Sequence, residues 1–183
     1  MSTLVEELAY DVEVVGLLAS RRHRYEGRPS DGPAPAEDGE MRERVEVRAG
    51  LGVVGDRYFG RRAHAHAAVT LIDEAAVLSA ARRIGVVGPV DPLVTRRNVV
   101  LRGIEVDRLV GSEVVLDCGE GEVRLAVRRP ARPCGWMDQA LGPGGHRALR
   151  GHGGVRCEPL SDGVLRLGPA VLRTRVDLTT LPL

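Results

Sequence analysis

The sequence predicts a mainly β protein, a barrel or sandwich with a few short helices. Two observations favour this class. Short apolar, β-branched runs recur at intervals of roughly ten residues, and only the segment 74–83 combines helical composition with capping signals. A doubly wound sheet would instead alternate strands with helices. The 183 residues suit a single domain spanning 1–183, long enough to bury a core without disulfides or a structural metal.

The predicted strands are rich in Val, Leu and Ile, which suit a pleated, half-buried surface. The segment RVEVR alternates polar and apolar side chains with period two. The glycines of CGEG separate two apolar runs and predict a β-hairpin. In chain order, the strands are expected at 12–19, 44–48, 67–72, 98–102, 113–117, 122–128, 164–167 and 170–176.

The clearest helix is expected over 74–83. Asp73 provides its N-cap, an acidic residue occupies the first turn and arginines the last, and Gly85 ends it. Between 133 and 154 the chain is glycine-rich, with short helices expected around WMDQAL and HRALR. Residues 20–43 have too few apolar side chains for a core element, and a flexible Pro/Gly-rich loop is expected at about 29–42.

Composition excludes several classes of partner. The 26 basic residues face 25 acidic ones, so the net charge is +1 and no global field attracts nucleic acid or a membrane surface. Aromatic residues make up 3% of the chain, too few for a sheet that stacks bases. The sequence contains no Lys, so any anion site must use guanidinium groups. We expect no nucleic-acid partner and no membrane partner.

The expected compartment is the cytoplasm. Three cysteines, an odd number without a CxxC pair, argue against a disulfide framework and for a reducing environment. The first residues carry acids rather than the basic segment of a signal peptide. No apolar stretch is long enough to span a bilayer.

Cys134 is the most informative position. It follows three arginines and precedes one of the expected short helices. Positive charge and a helix N-terminus favour the thiolate, which can attack as a nucleophile, carry a persulfide sulfur or bind a soft metal. The alternative is a small buried hydrophobe, the usual state of a free cysteine.

The other cysteines carry weaker signals. Cys118 is expected as an exposed thiol at the hairpin tip, and Cys157 as a packed residue, although Cys157 could also resolve a persulfide on Cys134. A zinc site built from Cys134, Cys157, His146 and His152 stays open, with a spacing that matches no compact ligand pattern.

Two histidines alternate near the middle of the chain. His64 and His66 would face one side of a strand, where they could bind a metal, but surface histidines are the simpler interpretation.

Several segments carry the residue types of an anion site. The run TRRNVV places two guanidinium forks and two neutral donors at the start of a strand. The turn GVVGDRY offers backbone N–H groups and Arg57. The segment RRHRYEG places a His and a Tyr among arginines on a loop. Solvated turns with salt bridges are the alternative for each. The candidate residues are His23, Tyr25, Asp56, Arg57, Thr95, Arg96, Arg97 and Asn98.

In their order along the chain, these motifs resemble the MOSC domain, the module related to the C-terminal domain of molybdenum cofactor sulfurases. The resemblance rests on GLGVVGDRYFG, AAVTLIDEA, TRRNVVLRGIEVDRLVGSEV, RRPARPCGWMD, RGHGGVR and DGVLRLGPAV, and covers about 12–176. The segment HRYEGRP is similar to one in small stand-alone actinobacterial members. The family implies a β-barrel of MOSC type.

The resemblance also implies a molybdenum cofactor, a molybdopterin. Cys134 matches the cysteine that carries a persulfide or ligates molybdenum in relatives. Arg96, Arg97 and Asn98 match the motif placed near the pterin phosphate, and Asp56 and Arg57 match the GDR motif. Two aromatic residues, Tyr25 and Trp136, are expected to wall the cleft.

Three functions follow from the resemblance and stay open. The first is an oxidoreductase that reduces N-hydroxylated substrates with electrons from a partner, since the chain has no cysteine cluster for iron–sulfur chemistry. The second is a non-catalytic carrier of the cofactor. The third is a sulfur carrier loaded on Cys134 by a cysteine desulfurase partner. Pyridoxal phosphate is expected only on such a partner.

Overall fold

The computed structural model describes residues 7–179. Its strands are β1 Leu8–Leu17, β2 Arg44–Arg48, β3 Gly52–Val53, β4 Val69–Asp73, β5 Val99–Arg102, β6 Glu113–Asp117, β7 Glu122–Pro130, β8 Val155–Pro159, β9 Gly163–Arg166 and β10 Gly168–Thr174. Its α-helices are α1 Glu74–Arg83, α2 Trp136–Ala140 and α3 Gly145–Ala148. Short 3-10 helices cover Pro29–Asp31, Arg62–Ala67, Pro92–Thr95 and Val106–Leu109.

Seven strands close into a barrel in the order β1-β10-β6-β7-β8-β4-β5, and β3-β2-β9 forms a small second sheet. All barrel pairs are antiparallel except β4 and β5, which are parallel because α1 connects them. The mainly β class and the barrel are confirmed. No helix among residues 7–179 is long and apolar enough to cross a membrane.

The core has two parts, which lie on opposite sides of the barrel wall. Alternating strand residues such as Val14, Leu71, Leu116 and Leu125 fill the barrel interior. A second cluster packs α1 and α2 against the outside of the barrel, with Ile72, Val100 and Trp136 among its members. Asp73 caps α1 by accepting a hydrogen bond from the Ala75 backbone N–H at 2.8 Å, as the sequence predicts.

Two local predictions are wrong, and one strand was not predicted. His64 and His66 lie in the 3-10 helix Arg62–Ala67 rather than in a strand. Cys118 is buried with 2% exposure, since β6 carries it into the barrel core rather than to an exposed tip. The strand β8 was not predicted; it directly follows the glycine-rich segment 133–154 and pairs with both β4 and β7.

Residues 20–43 contain little regular structure, as expected, but the end of this segment is attached to the barrel. Met41 forms a β-bridge with Leu18, and the backbone N–H of Arg42 donates to the Leu17 carbonyl at 2.9 Å. These contacts bring Glu40 beside the start of β5. The segment therefore covers one side of the candidate site.

Candidate functional site

Asn98, directly before β5, is the structural centre of the site. Its Oδ1 accepts from the Thr70 backbone N–H at 3.0 Å and from the Thr70 hydroxyl at 2.9 Å. Its Nδ2 donates to the Leu18 carbonyl and to Asp56 Oδ2, each at 3.1 Å. Every donor and acceptor of the amide is thus used within the protein. Asn98 holds β1, β4 and the GDR turn together, so it is not free to bind a ligand.

Asp56 orients the turn that carries Arg57. Its carboxylate accepts from Asn98 and also from the Tyr58 backbone N–H at 3.1 Å. The Arg57 backbone N–H donates to the Ser20 carbonyl at 2.8 Å, and its guanidinium lies over the Tyr58 ring, 4.6 Å from the centroid. The turn therefore fixes the position of Arg57 without providing it with a carboxylate partner.

Arg96 adopts a left-handed backbone conformation, with φ of 62°, which is uncommon for a residue other than glycine. The conformation turns its side chain inward, where it is 6% exposed and makes a bidentate ion pair with Glu40, with Nη2 to Oε2 at 2.9 Å. Burial pushes the pKa of Glu40 up, but the hydrogen bond and charge of Arg96 outweigh it, so that pKa lies below its ordinary value. The uncommon backbone conformation of Arg96 thus occurs at the residue that makes the buried ion pair with Glu40, and such conformations are frequent at functional sites.

These groups surround a small polar cavity of about 40 Å³. The Nε atoms of Arg57 and Arg96 are buried and have no hydrogen-bond partner among residues 7–179, as is also true of Arg24 and Arg173 outside the cavity. An unpartnered buried guanidinium N–H is costly, and an anion that reached the Arg57 and Arg96 groups would reduce that cost. The cavity is lined by Asp56, Arg57, Tyr58, Thr70, Arg96, Arg97, Asn98 and Arg156.

Arg97 connects this cavity to the cysteine loop. Its Nε donates to the Gly153 carbonyl at 2.9 Å and its Nη2 to the Ala131 carbonyl at 3.0 Å. Burial, followed by the charge of Arg156, lowers the pKa of Arg97 to about 10, so the guanidinium keeps its charge at neutral pH. Arg97 therefore fixes the backbone at Ala131, three residues before Cys134, and it also lines the small cavity.

A β-bulge in β7 places two arginines opposite each other beside the small cavity. The register of β7 against β8 shifts between Val127 and Arg129, and Arg129 then lies directly opposite Arg156. Like charges opposite each other on a sheet destabilise it, and bulges are frequent beside active sites. An open depression of about 420 Å³, lined by Arg129, Pro130, Arg132 and Arg156, adjoins the small cavity at Arg156. None of these three arginines makes an ion pair within residues 7–179.

Cys134 is exposed, whereas Cys118 and Cys157 are buried. Cys134 lies close enough to Arg97 and Tyr25 to affect the pKa of both. Burial raises the pKa of the Cys157 thiol far above its usual range, so Cys157 cannot act as a resolving thiolate. No group of three or more His, Cys, Asp or Glu side chains in the described part of the chain could hold a metal ion, and this excludes the four-residue zinc site there.

Tyr25 and Trp136 stack on each other, with ring centroids 5.1 Å apart. The Tyr25 hydroxyl donates to the Val94 carbonyl at 2.6 Å. Burial raises the pKa of Tyr25, which keeps the phenol neutral. Trp136 is 6% exposed, so the pair mainly fixes residues 21–28 against α2 rather than forming an open wall. Burial, followed by Arg57, lowers the pKa of His23, so its imidazole is neutral at pH 7.

Five of the predicted residues line the small cavity, namely Asp56, Arg57, Arg96, Arg97 and Asn98, whereas Thr95 does not. Thr95 is buried and its hydroxyl donates to the Pro92 carbonyl at 2.8 Å within a 3-10 helix. Sequence reasoning missed Glu40, Thr70 and Arg156. Thr70 carried a usable signal, since it is a polar residue within the predicted apolar strand 67–72. Arg156 lies in a strand that was not predicted, and Glu40 lies in an acidic loop without any distinguishing pattern.

Comparison with known proteins agrees with this architecture at the level of the fold. No protein-family model matches the chain, and no curated protein matches it. Among solved structures, the YUAD protein from Bacillus subtilis has a TM-score of 0.68 at 14% identity, covering 94% of this chain and 99% of that one. YiiM from Geobacillus stearothermophilus has a TM-score of 0.58 at 17% identity, covering 88% of this chain and 74% of that one.

YiiM from Escherichia coli gives a TM-score of 0.57 at 17% identity, covering 93% of this chain and 72% of that one. The two YiiM structures support a MOSC-like fold, as the sequence resemblance implied. At these identities the likeness concerns the fold alone. The arguments about ligand and reaction therefore rest on the residues of this site.

Proposed function

We propose that this protein binds a molybdopterin cofactor between its arginine cavity and Cys134, and that it reduces N-hydroxylated bases with electrons from a partner protein. The observation that carries the proposal is the pair of buried, unpartnered guanidinium N–H groups of Arg57 and Arg96. Both arginines line a cavity of about 40 Å³, which admits only a small group. The single exposed thiol lies on the loop that Arg97 attaches to that cavity.

The residues present fit such a group. A phosphate in the cavity would offer acceptors to Arg57 and Arg96 and would offset the charge of Arg156, which lies opposite Arg129. Cys134 offers the soft sulfur donor that molybdenum accepts. The pterin would lie over the open depression that adjoins the cavity at Arg156.

The cofactor, when bound, supplies two-electron redox chemistry. In the overall reaction the N–O bond of an N-hydroxyamidine breaks, and two electrons and two protons yield the amidine and water. The electrons come from a partner redox protein. The protein's own residues hold the charged cofactor, and Arg97 keeps the Cys134 loop in place by its bonds to two carbonyls.

The test is to purify the protein from cells that make molybdenum cofactor and to measure molybdenum and pterin. We expect about one of each per chain, loss of molybdenum in Cys134→Ser, and loss of both in Arg57→Gln. Arg147→Gln, which removes an exposed charge on α3, is the matched control. Reduction of benzamidoxime with a chemical reductant then separates an enzyme from a carrier, because a carrier binds the cofactor without turnover. Cofactor-free wild-type protein from such cells would contradict the proposal.

The exposure of Cys134 also favours a second function, transfer of sulfur as a persulfide. Neither of the buried cysteines could accept sulfur from a desulfurase without unfolding. Incubation with a cysteine desulfurase and cysteine should then add one sulfur to the peptide that holds Cys134. An unmodified peptide, under conditions that load a known acceptor, would exclude this function.

A further inference from the structure

A second cavity lies on the other side of the cysteine loop. It has a volume of about 380 Å³, and Pro133, the neighbour of Cys134, forms part of its wall. This size is typical of a small-molecule site. The cavity shares Pro130 and Arg132 with the depression assigned to the pterin, so a ligand in it would lie beside the cofactor. Its lining consists of Asp107, Pro130, Ala131, Arg132, Pro133, His146, Arg150, Gly151 and Gly153.

The wall between this cavity and the arginine cavity is rigid. A Cβ atom on Gly153 would lie 2.3 Å from the Ala131 carbonyl oxygen and 2.8 Å from Pro133 Cδ, so only glycine fits there. The Ala131 backbone N–H donates to the Gly154 carbonyl at 2.7 Å, and Arg97 donates to the carbonyls of Gly153 and Ala131. The cavity is therefore preformed, with flat proline faces that suit a planar ligand.

The charges of this cavity are divided between its rim and its base. Arg132 and Arg150 are exposed and form no ion pair within the described residues 7–179. Asp107 is half-buried, and its Oδ1 accepts from the Gly154 N–H at 3.2 Å, the one hydrogen bond that its side chain makes within residues 7–179. Burial raises the pKa of Asp107, because its charge lacks solvation. A ligand N–H donor or cation beside the carboxylate would compensate that loss.

We propose that this cavity is the substrate site, and that Arg132, Arg150 and Asp107 select N-hydroxylated amidines or guanidines that also carry a carboxylate. The substrate carboxylate binds the two guanidinium groups at the rim, the planar part lies against Pro130 and Pro133, and the nitrogen end donates to Asp107. This inference rests on the proposed function, to which it adds the substrate class.

The test compares two reaction products that differ by one carboxylate, 4-carboxybenzamidine and benzamidine, whose binding to the purified protein is measured by calorimetry. We expect 4-carboxybenzamidine to bind about tenfold more tightly, the effect of one exposed charge-assisted contact. Arg150→Gln and Arg132→Gln should each reduce the preference, whereas Arg147→Gln, on the same helix as His146 but outside the cavity, should keep it. Asp107→Asn, which retains the acceptor for Gly154, should weaken both ligands about equally.

Equal affinity of the wild-type protein for both amidines, or a preference that survives in both Arg132→Gln and Arg150→Gln, would overturn the inference. So would loss of bound pterin in Arg150→Gln, because the cavity would then belong to the cofactor. The carboxylate preference in binding needs no turnover. If it is found without reduction of 4-carboxybenzamidoxime, the substrate site stands and the proposed reaction fails.

Discussion

The two walls of the arginine cavity differ in how their polar atoms are satisfied. On one wall, Asn98, Thr70 and Asp56 bond to one another and to backbone groups, and the amide of Asn98 has no unused atom. On the other wall, the buried Nε–H groups of Arg57 and Arg96 have no acceptor within the described residues 7–179. The first wall therefore stabilises the fold, and the second is prepared for an anion. Substitutions on the two walls should thus have different effects.

The largest effect is expected on the satisfied wall. Asn98→Ala removes four side-chain hydrogen bonds and leaves the buried Asp56 Oδ2 with only the long hydrogen bond from the Ser20 backbone N–H, at 3.4 Å, so the free energy of unfolding should fall by about 3 kcal/mol. Urea denaturation measures this loss. A change below about 0.5 kcal/mol would mean that Asn98 is not structural, and the comparison between the walls would fail.

The next effect concerns Glu40, which joins the two walls. Glu40→Gln leaves Arg96 buried without a charged partner and should cost about 2 kcal/mol at pH 7. Because the folded pKa of Glu40 lies below its unfolded value of 4.5, the stabilisation is present above pH 4.5 and is lost as the pH falls through the folded pKa.

The stability difference between wild type and Glu40→Gln should therefore shrink at acid pH. Urea titrations at pH 7 and at pH values below 4.5 measure it, with Glu43→Gln, an exposed carboxylate of the same segment, as the control. A difference that is constant with pH would show that the ion pair with Arg96 does not supply the stabilisation.

The two cysteine environments allow a third, smaller comparison. Cys157→Ser places a hydroxyl in the barrel core and should cost about 1–2 kcal/mol, whereas Cys134→Ser on the exposed loop should change stability by less than about 0.5 kcal/mol. Native-state alkylation followed by mass spectrometry provides a further check. Iodoacetamide should modify Cys134 first, and modification of Cys157 at a similar rate would contradict the burial of the barrel core.

The smallest effect is expected on the arginine wall, and it has the opposite sign. Arg156→Gln removes one of two like charges that face each other across β7 and β8. Without a bound anion, the protein should become more stable by up to about 0.5 kcal/mol. Thermal unfolding in low-salt buffer detects this gain. A clear loss of stability would mean that Arg156 supports the fold rather than a ligand.

Local sequence signals predicted the strands and α1 well, because alternation and capping are properties of a few neighbouring residues. The helix 74–83 and the strands 44–48 and 113–117 match the structure at both ends. The strand β8 was missed since glycines surround it and its pairing with β4 and β7 is long-range.

The sequence predicted which residues belong to the candidate site. It did not predict which of them bond within the protein and which face the cavity. TRRN and GDR indicated an anion site, yet the sequence could not show that Asn98 and Asp56 are used internally while Arg57 is not. That difference depends on contacts such as Asn98 with Thr70 and Arg96 with Glu40. These residues are far apart in the chain, and no local pattern links them.

The central claim is that the arginine cavity holds a phosphate group, and thermal unfolding with inorganic phosphate tests it most directly. At a phosphate concentration about ten times Kd, the wild-type protein should gain about 1.4 kcal/mol and its Tm should rise by about 3–6 °C relative to sodium chloride of equal ionic strength. Arg57→Gln should lose most of this shift, and Arg147→Gln should keep it. Equal Tm values in phosphate and chloride for the wild-type protein would contradict the account.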